Sequence, residues 1–387
     1  MRILNISTII PLPNLNREND IILRIQDHMR DKYKYEFTIA KALPYVPLIL
    51  ANLSSKWAKY REYQKRGKVK IQGYDSIVYS TLMLPTSNFL VNYLLIPINY
   101  LWYKFVVRRN LILLAQKTDV ILAQNLFPDF IIAYWLAKEL NKPFIINLRA
   151  DPKRWWYRMP LLKKIINEAC YIITPSPTFY NDFKDDFNVK LIPHPIDKSF
   201  IYEGEKDYSI PRLISVCRLL DWKNIDLVIN TLADLKVKGY SFEYKILGDG
   251  PELETLKSLV KYHNLDNNIK FEGFVNFKEV PKHLADASIY IQPSYPETLG
   301  RAFLEAAAAG CLIIGHEKTG VDGLLEHNVS GYFITKQDIS KYLKKSFDNI
   351  GSVEFNKIIK KSTRVSKGLT WEVIGIKYDE LYSTALK

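Results

Sequence analysis

The sequence predicts an α/β protein made of two doubly wound units. Short apolar runs of four to seven residues, many β-branched, alternate with longer segments of helical period, as in parallel sheets covered on both faces. The 387 residues are 48% hydrophobic and 25% charged, long enough for two ordinary domains and too apolar for disorder. The alternation runs twice and is broken between the two passes by proline and charge.

In the first pass, strands are expected near Ile3–Ser7, Phe37–Ala40, Ser76–Tyr79, Val120–Ala123, Phe144–Asn147, Tyr171–Thr174 and Lys190–Ile192. Helices fall between them, for example over Asn19–Lys32, Phe130–Leu140 and Leu161–Ala169. Phe89–Val107 is the most membrane-like stretch. Asn92, Pro97, Asn99 and Lys104 interrupt it, so it reads as a buried or membrane-touching helix pair and not as a span. Pro193-His194-Pro195-Ile196-Asp197 and the charged Glu203–Asp207 form the expected linker, with the boundary near residue 196. The second pass has strands near Leu213–Val216, Tyr244–Leu247, Ile269–Glu272, Ile289–Gln292 and Leu312–Ile314, with helices such as Asn224–Lys238 and Pro251–Tyr262. From Gln337 onward only helices are expected.

Charge and cysteine narrow the function classes. Residues 1–200 hold 29 Lys+Arg against 16 Asp+Glu, whereas residues 201–387 hold 25 of each. The whole net charge of +13 therefore sits in the first half, which points to an anionic partner such as a phospholipid surface, a phosphorylated acceptor or nucleic acid. Cys170, Cys217 and Cys311 are odd in number and widely spaced, fitting neither a disulfide framework nor a zinc site. No export-signal pattern opens the sequence, so a cytoplasmic location is expected.

In an open doubly wound sheet, ligands bind beyond the carboxyl ends of the strands. Two segments stand there. Pro293-Ser294-Tyr295-Pro296-Glu297-Thr298-Leu299-Gly300-Arg301 leads from a strand into the helix that carries Glu305. The unpaired amides of a helix start suit an anion or a sugar oxygen, here those of Leu299, Gly300 and Arg301. The plainer reading makes Glu297 a loop acid and Glu305 a solvated one, but Glu305 is enclosed by Ala302, Phe303, Leu304 and Ala306–Ala309. The other segment, Arg218-Leu219-Leu220-Asp221-Trp222-Lys223, sets a planar fork and a point charge across one turn, a pairing suited to a diphosphate.

Together these segments resemble the retaining, nucleotide-sugar-dependent glycosyltransferases of family 4, which have the GT-B fold of two Rossmann-like domains. Arg218…Lys223, Gly248-Asp249-Gly250-Pro251, Phe271-Glu272-Gly273-Phe274-Val275, Glu297…Glu305 and Gly331 follow that family's order and spacing over about residues 212–335. The resemblance implies that Arg218 and Lys223 hold the donor diphosphate and that Glu305 accepts the ribose hydroxyls. Glu297, with the amides of Leu299 and Gly300, would place the sugar, and Phe274 and Val275 would border the base. It further implies an acceptor domain over residues 1–196, a donor domain over 197–370, and a final helix, residues 371–387, returning to the first domain.

The first half matches less closely. Gln124 and Asn125 stand where relatives often show a histidine. Arg149 and Asp151 remain as acceptor-side candidates, and Pro11–Arg17 lacks the usual glycine pair. His194 and Pro195 replace Asn and Gly in the family's linker, and Asn224 replaces the glycine after the lysine.

The expected reaction moves a hexose or N-acetylhexosamine from a UDP- or GDP-linked donor to a saccharide or lipid-linked saccharide, in surface polysaccharide synthesis. No cofactor and no metal are expected: no Asp-x-Asp follows an apolar strand, and Gly248-Asp249-Gly250 lacks a dinucleotide fingerprint's third glycine. The basic, aromatic segments Lys56–Lys68 and Lys153–Met159 read in two ways: lying on an anionic membrane, which gives a peripheral position on the inner face, or forming a solvated charged face with the aromatic residues folded into the core. The alternatives are a GT-B relative with another reaction, such as an epimerase, and a basic nucleic-acid-binding protein, which leaves Glu297 and Glu305 without a role.

Overall fold

The computed structural model describes residues 1–12, 20–82, 89–149 and 159–386. It divides into two compact units. Unit 1 comprises Met1–Thr174, Phe183–Ile192 and Gly375–Lys387; unit 2 comprises Pro175–Asp182 and Pro193–Ile374. Asp151, residues 13–17 of the loop after the first strand and residues 153–158 of the second basic cluster lie outside the described residues.

Unit 1 begins β1 (Arg2–Ser7), α1 (Ile21–Tyr33), β2 (Glu36–Pro44), α2 (Leu48–Ala51), α3 (Ser55–Arg66), β3 (Lys68–Ile71) and β4 (Tyr74–Thr81). It continues with α4 (Phe89–Leu94), α5 (Ile96–Trp102), α6 (Arg108–Ala115), β5 (Val120–Ala123), α7 (Ile131–Leu140), β6 (Phe144–Asn147), α8 (Pro160–Asn167) and β7 (Tyr171–Thr174). The chain then passes through α9 (Pro177–Phe183) to β8 (Val189–Leu191). The eight strands order as β3-β4-β2-β1-β5-β6-β7-β8, parallel except for β3, which pairs antiparallel with β4. Every residue of β5 and β6 is buried, as strands covered by helices on both faces require. Asp20 caps α1 by accepting from the amides of Ile22 and Leu23.

Unit 2 holds β9 (Arg212–Val216), α10 (Ile225–Val237), β10 (Glu243–Leu247), α11 (Leu253–Tyr262), β11 (Ile269–Gly273), α12 (Val280–Asp286) and β12 (Ile289–Gln292). There follow α13 (Arg301–Ala308), β13 (Leu312–His316), β14 (Tyr332–Ile334), α14 (Ile339–Asp348), α15 (Val353–Lys367) and the start of α16 (Trp371–Thr384), whose remainder from Gly375 is counted with unit 1. The six strands order as β11-β10-β9-β12-β13-β14, all parallel. Succession runs outward on either side of the β9–β12 pair, so this is the topological switch point where such sheets bind ligands. β9 and β12 pair through only Leu213↔Ile289 and Ile214↔Tyr290. Past that ladder, Ser215 Oγ donates to the Ile291 carbonyl, a side chain standing where backbone pairing has ended.

Two strands were not anticipated. β3 lies at a sheet edge and reads Lys-Val-Lys-Ile, continuing the basic run before it. β14 has only three residues. The aromatic residues of Lys56–Lys68 divide between the two readings. Within α3, Tyr63 is buried with Leu12, Leu43 and Val78, and Tyr60 packs against that cluster. Tyr63 is thus taken up by the core, while Trp57 of the same helix remains 38% exposed. Phe89–Val107 holds the expected pair of helices, α4 and α5, followed by a wider π-turn over Tyr103–Val107, and many of its apolar side chains are exposed.

The turn after β1 rests on a buried acid. Asp129 Oδ2 accepts from the Thr8 amide at 2.9 Å and from Thr8 Oγ1 at 3.2 Å, while Lys41 Nζ donates to the Thr8 carbonyl. Burial pushes the Asp129 carboxyl up to about 7, against the opposing pull of the Thr8 donors and the Lys41 charge. A carboxyl raised in the fold contributes stability that is full below its unfolded value and is lost as pH rises through about 7. Asp129→Asn keeps an acceptor for Thr8 and removes the titration. Its urea midpoint should therefore gain steadily on that of the unsubstituted protein between about pH 4 and pH 7, and parallel midpoint curves would refute the assignment.

Candidate active site at the switch point of unit 2

The loops after β9, β10, β11 and β12 converge at one end of the unit 2 sheet. The β9 loop carries Arg218 and Lys223, and its path is fixed by the Gly248-Asp249-Gly250 turn. The Cys217 amide donates to the Leu247 carbonyl and the Leu219 amide to the Asp249 carbonyl, each at 3.0 Å. Gly248 has φ +130°, and a Cβ there would lie 1.8 Å from the Cys217 carbonyl oxygen; one at Gly250 would lie 2.1 Å from that of Leu219. The two glycines let one backbone run directly against the other. Arg218 is left exposed beyond this contact.

Lys223 turns inward. Its ammonium is 2.5 Å from Glu297 Oε2 and 4.0 Å from the Trp222 ring centroid, and the lysine and glutamate side chains are only 10% and 14% exposed. The sequence reading had set these two residues at different parts of a donor and did not foresee their pairing. Asn224 takes φ +54° in order to start α10, the backbone region that explains a glycine in relatives and that asparagine tolerates. Its Nδ2 donates to the Pro293 carbonyl and its Oδ1 accepts from Lys336 Nζ, each at 2.7 Å, joining the β9 and β12 loops. The Tyr295 amide adds a bond to the Trp222 carbonyl at 3.0 Å.

Glu297 is held from every side. Ser294 Oγ donates to its Oε2 at 3.2 Å, and Ser294 accepts from Gln292 Nε2, whose Oε1 accepts from the Tyr290 hydroxyl at 2.8 Å. Burial raises the Tyr290 hydroxyl well above its ordinary pKa, so it stays a donor. The Glu297 amide donates to Thr319 Oγ1 and the Thr319 hydroxyl reaches the Glu297 carbonyl, both at 2.7 Å, while the Gly320 amide bonds that same carbonyl at 2.9 Å. Ser294, Trp222 and the glycine pair stood in the quoted motif segments without a role, and the structure supplies one for each; Thr319 joins them as the clamp on the Glu297 backbone.

Leu299 is buried, and Gly300, at φ +68°, starts α13 with no side-chain cap, leaving first-turn amides for an outside acceptor. Glu305 lies one turn in, 5% exposed, with Arg301 Nε 2.8 Å from its Oε1 and the Arg301 guanidinium 5.4 Å from the Phe277 ring centroid. Arg301 thus engages through its side chain, where only its amide had been singled out. At the end of β11, Phe274 is 84% exposed and Val275 half-buried, beside the register shift that sets Leu247 opposite Gly273.

In unit 1, Arg149 Nε donates to Gln124 Oε1 at 3.0 Å at the carboxyl ends of β5 and β6. Desolvation lowers the Arg149 guanidinium from its ordinary pKa. Among the described residues, no group of three or more His, Cys, Asp or Glu side chains could hold a metal ion, and no helix is long and apolar enough to cross a membrane.

With this geometry in hand, the chain can be set beside known proteins. Residues 202–362 match the family described as glycosyl transferases group 1. The match spans the loops described above. The chain is 33% identical over 133 residues to the amylovoran biosynthesis glycosyltransferase AmsK of Erwinia amylovora, 33% of each chain. It is 32% identical over 146 residues to the putative colanic acid biosynthesis glycosyltransferase WcaL of Salmonella typhimurium, 36% of each. These alignments take in about a third of the length of the curated relatives matched. The fold resembles that of Anabaena Alr3699/HepE, solved in complex with UDP, with a TM-score of 0.69 over 99% of this chain and 100% of that one at 17% identity. The architecture is GT-B.

The Gly248 contact yields a test of how the β9 loop is built. Gly248→Ala forces a Cβ into backbone and strains the turn, so unit 2 should lose about 2 kcal/mol or more in urea unfolding. An unchanged midpoint would contradict the close backbone approach.

Proposed function

We propose that the protein is a retaining, family 4-like glycosyltransferase that moves a hexose or N-acetylhexosamine from a nucleoside diphosphate sugar to a saccharide or lipid-linked saccharide in surface polysaccharide synthesis. The observation that carries this reading is the buried Lys223–Glu297 pair and the uncapped start of α13 at the β9–β12 switch point, with Arg218 exposed on the same β9 loop. The family match over the same loops supports it, as do the names of the amylovoran and colanic acid relatives.

In this reading Arg218 supplies a planar fork and Lys223 a point charge to the diphosphate, stabilising the negative charge that builds on it as the sugar departs. The acceptor hydroxyl attacks C1 from the face that the diphosphate leaves. The C1–O bond to phosphate breaks as the C1–O bond to the acceptor forms, and the acceptor proton passes to the departing phosphate oxygen. Glu297 places the sugar, and its clamp by Ser294 and Thr319 limits its freedom to misalign. Glu305 accepts the ribose hydroxyls, and Phe274 and Val275 border the base. Arg149 and Asp151 are proposed on the acceptor side. Charge stabilisation comes from the two cations, so the proposed reaction calls for no metal and no cofactor. The proposed place of action is the cytoplasmic face of the cell membrane.

The test is thermal stabilisation by UDP, GDP, ADP and their common sugar conjugates. A ligand at about 100 times its dissociation constant adds about 2.7 kcal/mol. One nucleotide series should shift the unfolding midpoint, and Arg218→Ala and Glu305→Ala should each remove the shift while remaining folded. Stabilisation by none of the panel would overturn the donor assignment.

A further inference from the structure

The face of unit 1 formed by α4, α5, the π-turn and α6 carries apolar side chains on both sides: Ile96, Tyr103, Val107 and Leu111 are buried beneath it, and a second apolar row stands outward. Asn92 and Asn99 point inward, 3% and 7% exposed, and Asn99 makes hydrogen bonds with both backbone groups of Leu82. Outward stand Leu90, Leu94, Leu101, Phe105, Val106 and Leu113, with Phe105 76% exposed. A helix facing water presents a polar outer side, so an outer row of exposed leucines with Phe105 expects a second apolar phase. Tyr45, with its ring 5.0 Å from that of Trp102, links this face to Leu48 and Ile49 of α2 and to Leu53 just beyond it, all exposed.

The charges on the same face have one sign. No Asp or Glu occurs between Asp75 and Asp119, whereas Lys104, Arg108, Arg109 and Lys117 all fall in that stretch. Beside it lies a groove of about 770 Å³ walled by Tyr100, Tyr103, Phe105, Tyr134 and Trp135, with Lys104, Arg108 and Lys138 among its lining. The acids nearby are neutralised. Glu139 pairs with Arg108 and accepts from the Tyr103 hydroxyl, and Glu168 pairs with Lys138.

We propose that unit 1 docks on an anionic phospholipid bilayer through this face, its leucines and Phe105 entering the acyl boundary while the cations meet headgroup phosphates. Charge complementarity selects the occupant: a two-fold contact with a second copy would set an acid-free cationic stretch against itself. The component helices have only six to eight residues, suited to lying in the interface plane. This deepens the proposed membrane-side transfer by naming the partner and its surface, and it relocates that contact from α3. It rests on the transfer reading only for its purpose, since docking needs no donor.

The experiment is flotation of the full chain with phosphatidylcholine vesicles, with and without about a third phosphatidylglycerol, at low and high salt. The protein should bind the anionic vesicles at least about tenfold more strongly than the neutral ones, and each cation neutralised should cost about fivefold. Leu101→Glu with Phe105→Glu should cut binding more than tenfold while leaving nucleotide stabilisation of unit 2 unchanged. Equal binding by that variant, or loss instead on Lys56→Glu with Lys59→Glu, would overturn the proposal. So would absence of vesicle binding, including the case of a dimer in sedimentation that the Leu101/Phe105 variant dissolves. Vesicle binding without any nucleotide stabilisation would sink the transferase reading and leave the docking surface standing.

Discussion

A lysine and a glutamate 74 residues apart share one largely buried contact, and the working end of unit 2 is organised around it. Removing either partner strands the other's charge in poorly solvated surroundings, at a cost of about 3–5 kcal/mol for a buried pair. The sheet order makes the contact available, because β9 and β12 are neighbours only where the strand succession reverses. Everything nearby constrains the pair: Ser294 and Thr319 on the glutamate, the Trp222 ring beneath the ammonium, and Asn224 tying the two loops together. Such a pair keeps a cation in place before any anion arrives, which is the preorganisation that charge stabilisation in a transition state needs.

Unit 1 treats polarity differently. At its own switch point, β1 beside β5, it buries Asp129 under the Thr8 turn, and on an outer face it exposes leucines and buries asparagines. Its excess positive charge, visible in composition, becomes informative only when combined with that exposed apolar face. A count of cations points to an anionic partner in general; in the proposed docking, the exposed leucines and Phe105 around Lys104 and Arg108 narrow it to one with an apolar interior.

Much of the fold was legible because parallel strands covered on both sides are apolar throughout: Val120–Ala123, Phe144–Asn147, Tyr171–Thr174 and Ile289–Gln292 have the bounds that the sequence pattern predicts. β3 escaped because an edge strand alternates with solvent and here does so with lysines, and β14 because three residues make no pattern. The motif residues of unit 2 were visible through their spacing, whereas the Lys223–Glu297 contact was not, since no local periodicity encodes a pairing across the sheet. The steric need for Gly248 was equally hidden, because it depends on the Cys217 backbone of another strand. On α3, aromatic spacing marked one helical face but could not choose between membrane and core; Tyr63 belongs to the protein's own core, while Trp57 stays exposed.

The central claim is that the Lys223–Glu297 pair serves donor chemistry and not merely the stability of its loops. The direct measurement is release of nucleoside diphosphate from a panel of nucleotide sugars, with a mixture of saccharide and lipid-linked saccharide acceptors, or water, taking the sugar, by the unsubstituted chain and by the double variant Lys223→Gln with Glu297→Gln, which strands no charge. The account predicts release from at least one donor by the former and none by the latter, with similar urea midpoints. Equal release by both would contradict it and reduce the pair to a structural contact.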